Sequence, residues 1–270
     1  MNVIDPSAAV SRGIIDPRCS QAAERVLAKI ETESIPLGDI ARVNRGIHAY
    51  RTDGYGISKF ARGPQTKKDK EERSYHARRR LNDTYLPELK GKDVFRFSFT
   101  PTGDYLSYGP WLAEPREPAF FDKPKLALRK ILGPKLHGTY IEKPCALDQS
   151  LYIVIAKDRD VSRLKFILAV LLSRLGAWYL RTKYAIYDTL YSWYTKKQLA
   201  TFPMKKEDPR LVRLVDLMLK LHKDLPKAKT PHEQESLKRT IAATDRAIDA
   251  LVYELYGLTE DEIRIVEGMR

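Results

Sequence analysis

Residues 208–257 read DPRLVRLVDLMLKLHKDLPKAKTPHEQESLKRTIAATDRAIDALVYELYG, and two helix starts are written in them. Asp208 followed by Pro209 is an N-cap and first-turn pair. The carboxylate accepts an otherwise unpaired amide, and proline loses no hydrogen bond at that position. Thr230-Pro231-His232-Glu233 is a capping box with proline again at the first helical residue. After the first start, Leu214, Met218, Leu221 and Leu225 step by four, three and four. After the second, Leu237, Ile241, Thr244, Ile248, Leu251 and Leu255 alternate steps of four and three. Both are heptad-type seams, and a short loop joins them, so the stretch predicts an antiparallel helical hairpin. Gly257 ends the second helix, and Thr259-Glu260-Asp261-Glu262 caps a short last one.

Upstream of the hairpin the pattern changes. Leu164, Ile167, Leu168, Leu171, Leu175 and Trp178 recur at helical spacing and predict a buried helix over about 162–182, capped by Ser162 or Asp160. Between 92 and 155 the period is closer to two. Residues 94–99 put Phe95, Phe97 and Phe99 on one side and Arg96 and Ser98 on the other, as a half-buried strand would. Residues 124–131 and 151–156 also read as strands, and residues 40–43 as a short strand running into a loop at Gly46. Ser20 could cap a helix over 21–32. Residues 58–80 carry nine Lys or Arg against three acids with almost no apolar residue, and read as a mobile basic loop. The fold class is α+β: a strand-rich body with packed helices, then the C-terminal hairpin. No internal repeat is found.

Composition bounds the function. Of the 270 residues, 43% are hydrophobic and 31% charged, so a sizeable core can be buried. The net charge of +13 favours a polyanionic partner, nucleic acid or anionic membrane. The most apolar run, 166–172, is far too short to span a bilayer. Cys19 and Cys145 match no metal or redox spacing and read as free thiols of a reducing compartment. The N-terminus shows no secretory pattern, and the expected location is the cytoplasm.

Catalytic chemistry is not written in local motifs. No Pro-Pro pair occurs, so the (Asn/Asp/Ser)-Pro-Pro-(aromatic) motif of amino-methyltransferases is missing, and no Gly-x-Gly follows a predicted strand to open a helix. Asp83, Glu88 and Lys90 imitate a metal-dependent nuclease triplet at short spacing. His48, His76, His137, His222 and His232 are scattered, and His232-Glu233 has no second histidine one turn on. The expectation is a chain without catalysis, cofactor or metal.

The order of segments resembles the TaqI-type C-terminal specificity domain, which is related to the target-recognition domains of type I specificity subunits. Residues 36–43, followed by Arg45-Gly46-Ile47, are similar to the opening strand and loop. Residues 87–94 and 121–126 resemble two strand lead-ins, the second of the form aromatic-x-Lys-Pro-Lys. Residues 164–169 look like the long core helix, and residues 194–199 with Phe202-Pro203 resemble the closing segment. Residues 248–258 resemble the end of the helical spacer. The resemblance covers about residues 25–267. Fused members carry a methyltransferase domain ahead of this region and type I subunits have two recognition domains, so the resemblance implies either a domain excised from a fused enzyme or a stand-alone specificity subunit equivalent to half of a type I one.

The resemblance implies a lead-in at 1–35, a target-recognition domain at 36–205 and a hairpin spacer at 206–270. It also implies sequence-specific recognition of double-stranded DNA in a restriction–modification adenine methyltransferase system. The hairpin would dock on a methyltransferase or endonuclease partner, or on its own copy as a homodimer. Expected phosphate contacts are Lys59, Lys67, Lys68, Arg78, Arg79 and Arg80, with Lys123, Lys125, Arg129 and Lys130 near a strand. Expected base readers are Arg45, His48, Tyr50, Arg51, Gln149 and Ser150. Lys92 and Arg96 join the DNA-contact candidates. Tyr184, Tyr187, Tyr191 and Tyr194 form an aromatic cluster with Arg181, Lys183, Lys196 and Lys197. Two other readings stay open: a metal-dependent nuclease, and a non-specific nucleic-acid-binding assembly protein.

Overall fold

The structure is a computed structural model that describes residues 21–184 and 192–268. The expected cap Ser20, the thiol of Cys19, and Tyr187 and Tyr191 lie outside the described residues. The first elements are α1 (Gln21–Glu31), β1 (Ile35–Pro36), α2 (Leu37–Ile40), β2 (Ala41–Arg45), α3 (Lys67–Glu71), β3 (His76–Ala77), β4 (Tyr85–Leu89) and β5 (Tyr105–Ser107). Four strands follow: β6 (Lys125–Arg129), β7 (Gly138–Ile141), β8 (Ala146–Leu147) and β9 (Leu151–Ala156). The rest are α4 (Val161–Leu172), α5 (Arg174–Lys183), α6 (Lys196–Ala200), β10 (Pro203–Met204), α7 (Pro209–Asp224), α8 (Pro231–Leu255) and α9 (Glu260–Glu267). The architecture is α+β, as the sequence predicts.

The chain forms two compact units. One takes residues 1–42, 131–137 and 156–270, and the other takes 43–130 and 138–155. The second unit is strand-rich. It holds two four-stranded sheets, ordered β2-β9-β6-β7 and β3-β5-β4-β8. β6 is antiparallel to β7 and β9, and β4 runs parallel to β8. β9 is buried along its whole length, which is why it reads as an unbroken apolar run rather than an alternating one. Its neighbours in the core include Leu89, Leu106, Phe120, Phe121 and Leu147. Each such side chain contributes about 1.5–3 kcal/mol on burial.

The first unit is helical. α4 packs on α7, and α7 packs on α8 to make the predicted hairpin. Asp208 and Thr230 cap their helices as read, with Glu233 completing the box at Thr230 and Glu262 completing the one at Thr259. The buried stripe of α7 is Leu211, Val215, Met218 and Leu221, with Leu214 and Leu225 only half-buried. The seam extends the predicted one back to Leu211 and is rotated slightly from it, because Val215 is buried in place of Leu214. The first half of α8 is largely exposed, with Leu237 and Ile241 half-buried.

Three expectations are corrected. The helix over 162–182 is two helices. Ser173 interrupts it: its hydroxyl donates to the Val170 carbonyl at 2.7 Å and accepts the Gly176 amide at 3.2 Å. Gly176 is required there, since a Cβ would sit 2.4 Å from the Leu171 carbonyl oxygen. Residues 94–99 form a tight hairpin rather than a strand. Phe95 N–H donates to the Ser98 carbonyl at 2.9 Å, and Phe97 takes a left-handed φ of 55°. The three phenylalanines thus part company: Phe97 is buried while Phe95 and Phe99 are exposed. Residues 58–80 are not an unstructured arm either. They contain α3 and β3 and fold around a buried Asp69.

Candidate nucleic-acid interface

The loop after β2 is fixed by backbone contact. Gly46 N–H donates to the Leu151 carbonyl at 3.0 Å, and Ile47 N–H to the Leu147 carbonyl at 2.7 Å. A Cβ on Gly46 would lie 2.0 Å from the Asp148 carbonyl oxygen, so only glycine lets the two chains approach. Arg45 is thereby held exposed at the strand end. Burial, helped by the charges of Arg45 and Arg116, lowers the Lys130 ammonium against Asp148 and Glu114. Lys130 also lies 5.3 Å from the Tyr152 ring centre. Glu114 organises the other side. It accepts from Arg51 at 2.7 Å and from Arg116, and His48 Nδ1 is 3.8 Å away. Burial, with Arg51, Arg116 and Lys70, keeps His48 below the usual imidazole value despite Glu114. A neutral imidazole has one donor and one acceptor nitrogen.

A second set of charges is committed inside the strand-rich unit. Glu88 faces His76 Nε2 at 3.1 Å, Lys90 at 3.4 Å and Arg73 at 3.7 Å. Asp104 accepts from Arg78 at 2.7 Å, from Arg73 at 3.1 Å and from Lys90. Burial would raise the Asp104 carboxyl, but Lys90 and Arg73 hold it at about 2. The Tyr50 hydroxyl meets His76 Nδ1 at 2.7 Å and accepts the Tyr75 amide at 2.7 Å, so this candidate base reader has its hydroxyl engaged internally. Of the nuclease-like triplet, Glu88 and Lys90 pair at 3.4 Å while Asp83 turns to Arg80. Asp83 is fully exposed on Arg80, whereas Glu88 is buried among bases. Among the described residues, no group of three His, Cys, Asp or Glu could hold a metal.

The remaining candidates separate by environment. Lys125 is 0% exposed and donates to the carbonyls of Phe121, Lys123 and Lys143 at 2.9, 2.9 and 3.1 Å. It cannot reach a phosphate, and burial lowers its ammonium. The Ser150 hydroxyl accepts the Gly91 amide at 2.7 Å and donates to Asp148, so it too serves the fold. Gln149, Lys92, Arg79, Lys67 and Lys68 are exposed, Lys123, Arg96 and Arg129 partly so. Lys59 reaches the Ser74 carbonyl at 2.7 Å. Four candidates lie in the helical unit. Arg181 donates to the Gly133 carbonyl at 2.6 Å, Lys183 pairs with Glu31 at 2.7 Å, and Lys196 and Lys197 are exposed on α6. Of the tyrosines, Tyr194 is buried and Tyr184 pairs its hydroxyl with Thr201 at 2.7 Å.

Comparison with known proteins fits this architecture. Residues 86–204 match the TaqI-like C-terminal specificity domain. Among solved structures, the type IIL restriction–modification enzyme MmeI, in complex with DNA, has a TM-score of 0.53 at 10% identity over 87% of this chain. That likeness is one of fold. The HsdS subunit from Thermoanaerobacter tengcongensis and the type IIG restriction endonuclease BpuSI align at 0.36 and 0.46, with 14% and 12% identity over 98% and 87% of this chain. The chain spans 35%, 54% and 33% of these three structures, in that order. No curated protein matches it.

Within the matched stretch, three charged residues lie outside the sequence-predicted set: Glu114 and Arg116, beside the Gly46 loop, and Asp104, among the internal charges. Each lies in a Gly- and Pro-punctuated region with no period to follow. The one available signal was Glu114-Pro115-Arg116, a close opposite-charge pair in a basic chain. The Gly46 loop itself precedes the matched residues.

Proposed function

We propose that this chain is the target-recognition module of a restriction–modification system, reading double-stranded DNA for an adenine methyltransferase. The match of residues 86–204 to a specificity domain carries the reading. The exposed Arg45 beside Lys130 and Arg116, on a loop locked by Gly46, supports it. In this reading residues 36–205 recognise DNA, after a lead-in at 1–35, and residues 206–270 are the spacer. Arg45 and Gln149 read base edges in the major groove, where each base pair is distinct. His48 and Arg51 border them, and Lys67, Lys68, Arg79 and Lys92 set register on phosphates. MmeI, which shares the fold, is seen in complex with DNA.

The module works in the cytoplasm without cofactor or catalysis of its own. A methyltransferase or endonuclease partner supplies the chemistry, docking on the hairpin of α7 and α8. The exposed first half of α8 is also available to a second copy. No helix among the described residues is long and apolar enough to cross a membrane.

The test is selection of the purified chain on a randomised duplex library at near-physiological salt, in the presence and absence of magnesium. An enriched motif is expected, and its symmetry reports whether one or two copies bind. Duplex binding with no motif would remove the specificity claim. Magnesium-dependent cleavage would replace it with the nuclease reading, and preference for RNA over duplex with the assembly reading.

A further inference from the structure

Residues 51–71 precede the matched stretch and form a loop with an unusual surface. Tyr55, Ile57 and Phe60 are 48%, 53% and 47% exposed. Cations lie over two of these rings, Arg51 at 4.2 Å from the centre of Tyr55 and Lys68 at 4.6 Å from that of Phe60. Lys59, Arg62 and Lys67 are exposed around them.

The loop is held in shape from beneath. Asp69 is fully buried and accepts from Ser58 Oγ at 2.6 Å, Thr66 Oγ at 2.8 Å, Lys59 N and Thr66 N at 2.9 Å, and Ser74 Oγ at 3.0 Å. The Ser58 hydroxyl then accepts the amides of Phe60 and Ala61 at 3.0 Å each, which sets the tip. Gln65 ties the base of the loop: its amide donates to Ala49 and Trp111 carbonyls and accepts the Arg51 amide. An apolar tip fixed by buried polar groups, rather than covered by them, is built to meet a surface. Its basic surround makes that surface polyanionic.

We infer that the tip from Tyr55 to Phe60 is a wedge that enters the base stack of duplex DNA, with Phe60 and Ile57 against exposed base faces. The inference rests on the DNA-recognition reading and adds to it a deformation of the duplex. Apolar side chains inserted at a base step unstack it and kink the helix, and the flanking contacts offset that energy. Arg62, Lys67 and Lys68 hold the phosphates on either side, while Lys59 stays on the Ser74 carbonyl. A phosphate draws Lys68 off Phe60 and frees that ring face for a base.

The experiment uses the full chain and duplexes carrying the enriched sequence, or a mixed sequence if none is enriched. 2-Aminopurine is placed at each step in turn, and anisotropy reports binding in the same samples. At saturation one step should brighten severalfold with the wild-type chain, and much less with Phe60→Ala/Ile57→Ala. That variant should bind roughly tenfold more weakly, as loss of one stacked base predicts. Both positions are exposed, so its melting curve should match the wild type. Lys67→Ala/Lys68→Ala should weaken binding yet still brighten the same step at saturation. Normal binding with no bright step, or equal brightening by Phe60→Ala/Ile57→Ala, would overturn the wedge and leave DNA recognition standing. Tighter binding to single strands than to duplex would replace the wedge with a strand-binding surface. No duplex binding by anisotropy would overturn the recognition reading, and the wedge with it.

Discussion

The loop at Gly46 and the loop over Asp69 are adjacent in sequence and are shaped by opposite means. At Gly46 the backbone itself is the constraint, because a side chain is missing where two chains meet. At Asp69 a side chain is the constraint, because one buried carboxylate collects five donors. The first loop presents an exposed guanidinium, and the second presents rings and an aliphatic chain. A loop of the first kind is broken by adding a methyl group, and one of the second kind by removing a carboxylate.

The largest expected effect is therefore Gly46→Ala. Its Cβ would meet only backbone, at 2.0 Å from the Asp148 oxygen and 2.5 Å from the Leu147 oxygen, so no side chain can yield. A loss of about 3 kcal/mol or more is expected, read as a fall in Tm of roughly 10 °C. A change under about 1 kcal/mol would mean that the loop has another conformation available. Asp69→Ala follows closely. It strands buried donors, and about 2–3 kcal/mol of stability should go in urea unfolding. Burial would raise the Asp69 carboxyl, but Ser58, Thr66 and Lys59 hold it well below the usual range. Its contribution is thus complete above the unfolded value and is lost as acid protonates it.

Asp104 sharpens the same comparison with a pH window. Its carboxyl titrates at about 2 in the fold, against about 3.9 when unfolded. A depressed acid stabilises above its unfolded value, so its contribution should vanish as pH falls from about 4 to about 2. The amount is about 2 kcal/mol, seen as the difference between wild type and Asp104→Asn in urea midpoints across that range. Parallel curves for the two proteins would show that Lys90, Arg73 and Arg78 gain nothing from the ionised carboxyl.

The helical unit was more legible in the sequence than this charged surface. Thr230 and Glu233, or Asp208 and Pro209, announce a helix because both partners of the cap lie within three residues. The break at Ser173 was missed although its signal is equally local, since the apolar period runs through it unchanged. Phe97 shows a different failure: alternation over six residues fits a strand, and only its left-handed φ reveals the hairpin. Asp104 and Glu114 collect their partners from up to 63 residues away, so no spacing could disclose them. Arg45 and Gly46 were found because a glycine beside an arginine is a local sign. The partner that makes glycine obligatory, Asp148, is not local.

The smallest effect on the fold carries the most information about function. Arg45→Ala removes an exposed side chain, so the melting curve should not move. If Arg45 reads a base, affinity for the matched duplex should fall by about 1–3 kcal/mol while affinity for a scrambled duplex barely changes. Lys67→Ala should do the reverse, weakening both duplexes alike and reducing the slope of log affinity against log salt by about one. Lys67 is the suitable contrast because it is exposed, with only a 3.5 Å surface pair to Glu71. If Arg45→Ala also weakens both duplexes equally, Arg45 belongs with the phosphate contacts. The reading of sequence would then pass from the Gly46 loop to Gln149, across the close approach that Gly46 makes possible.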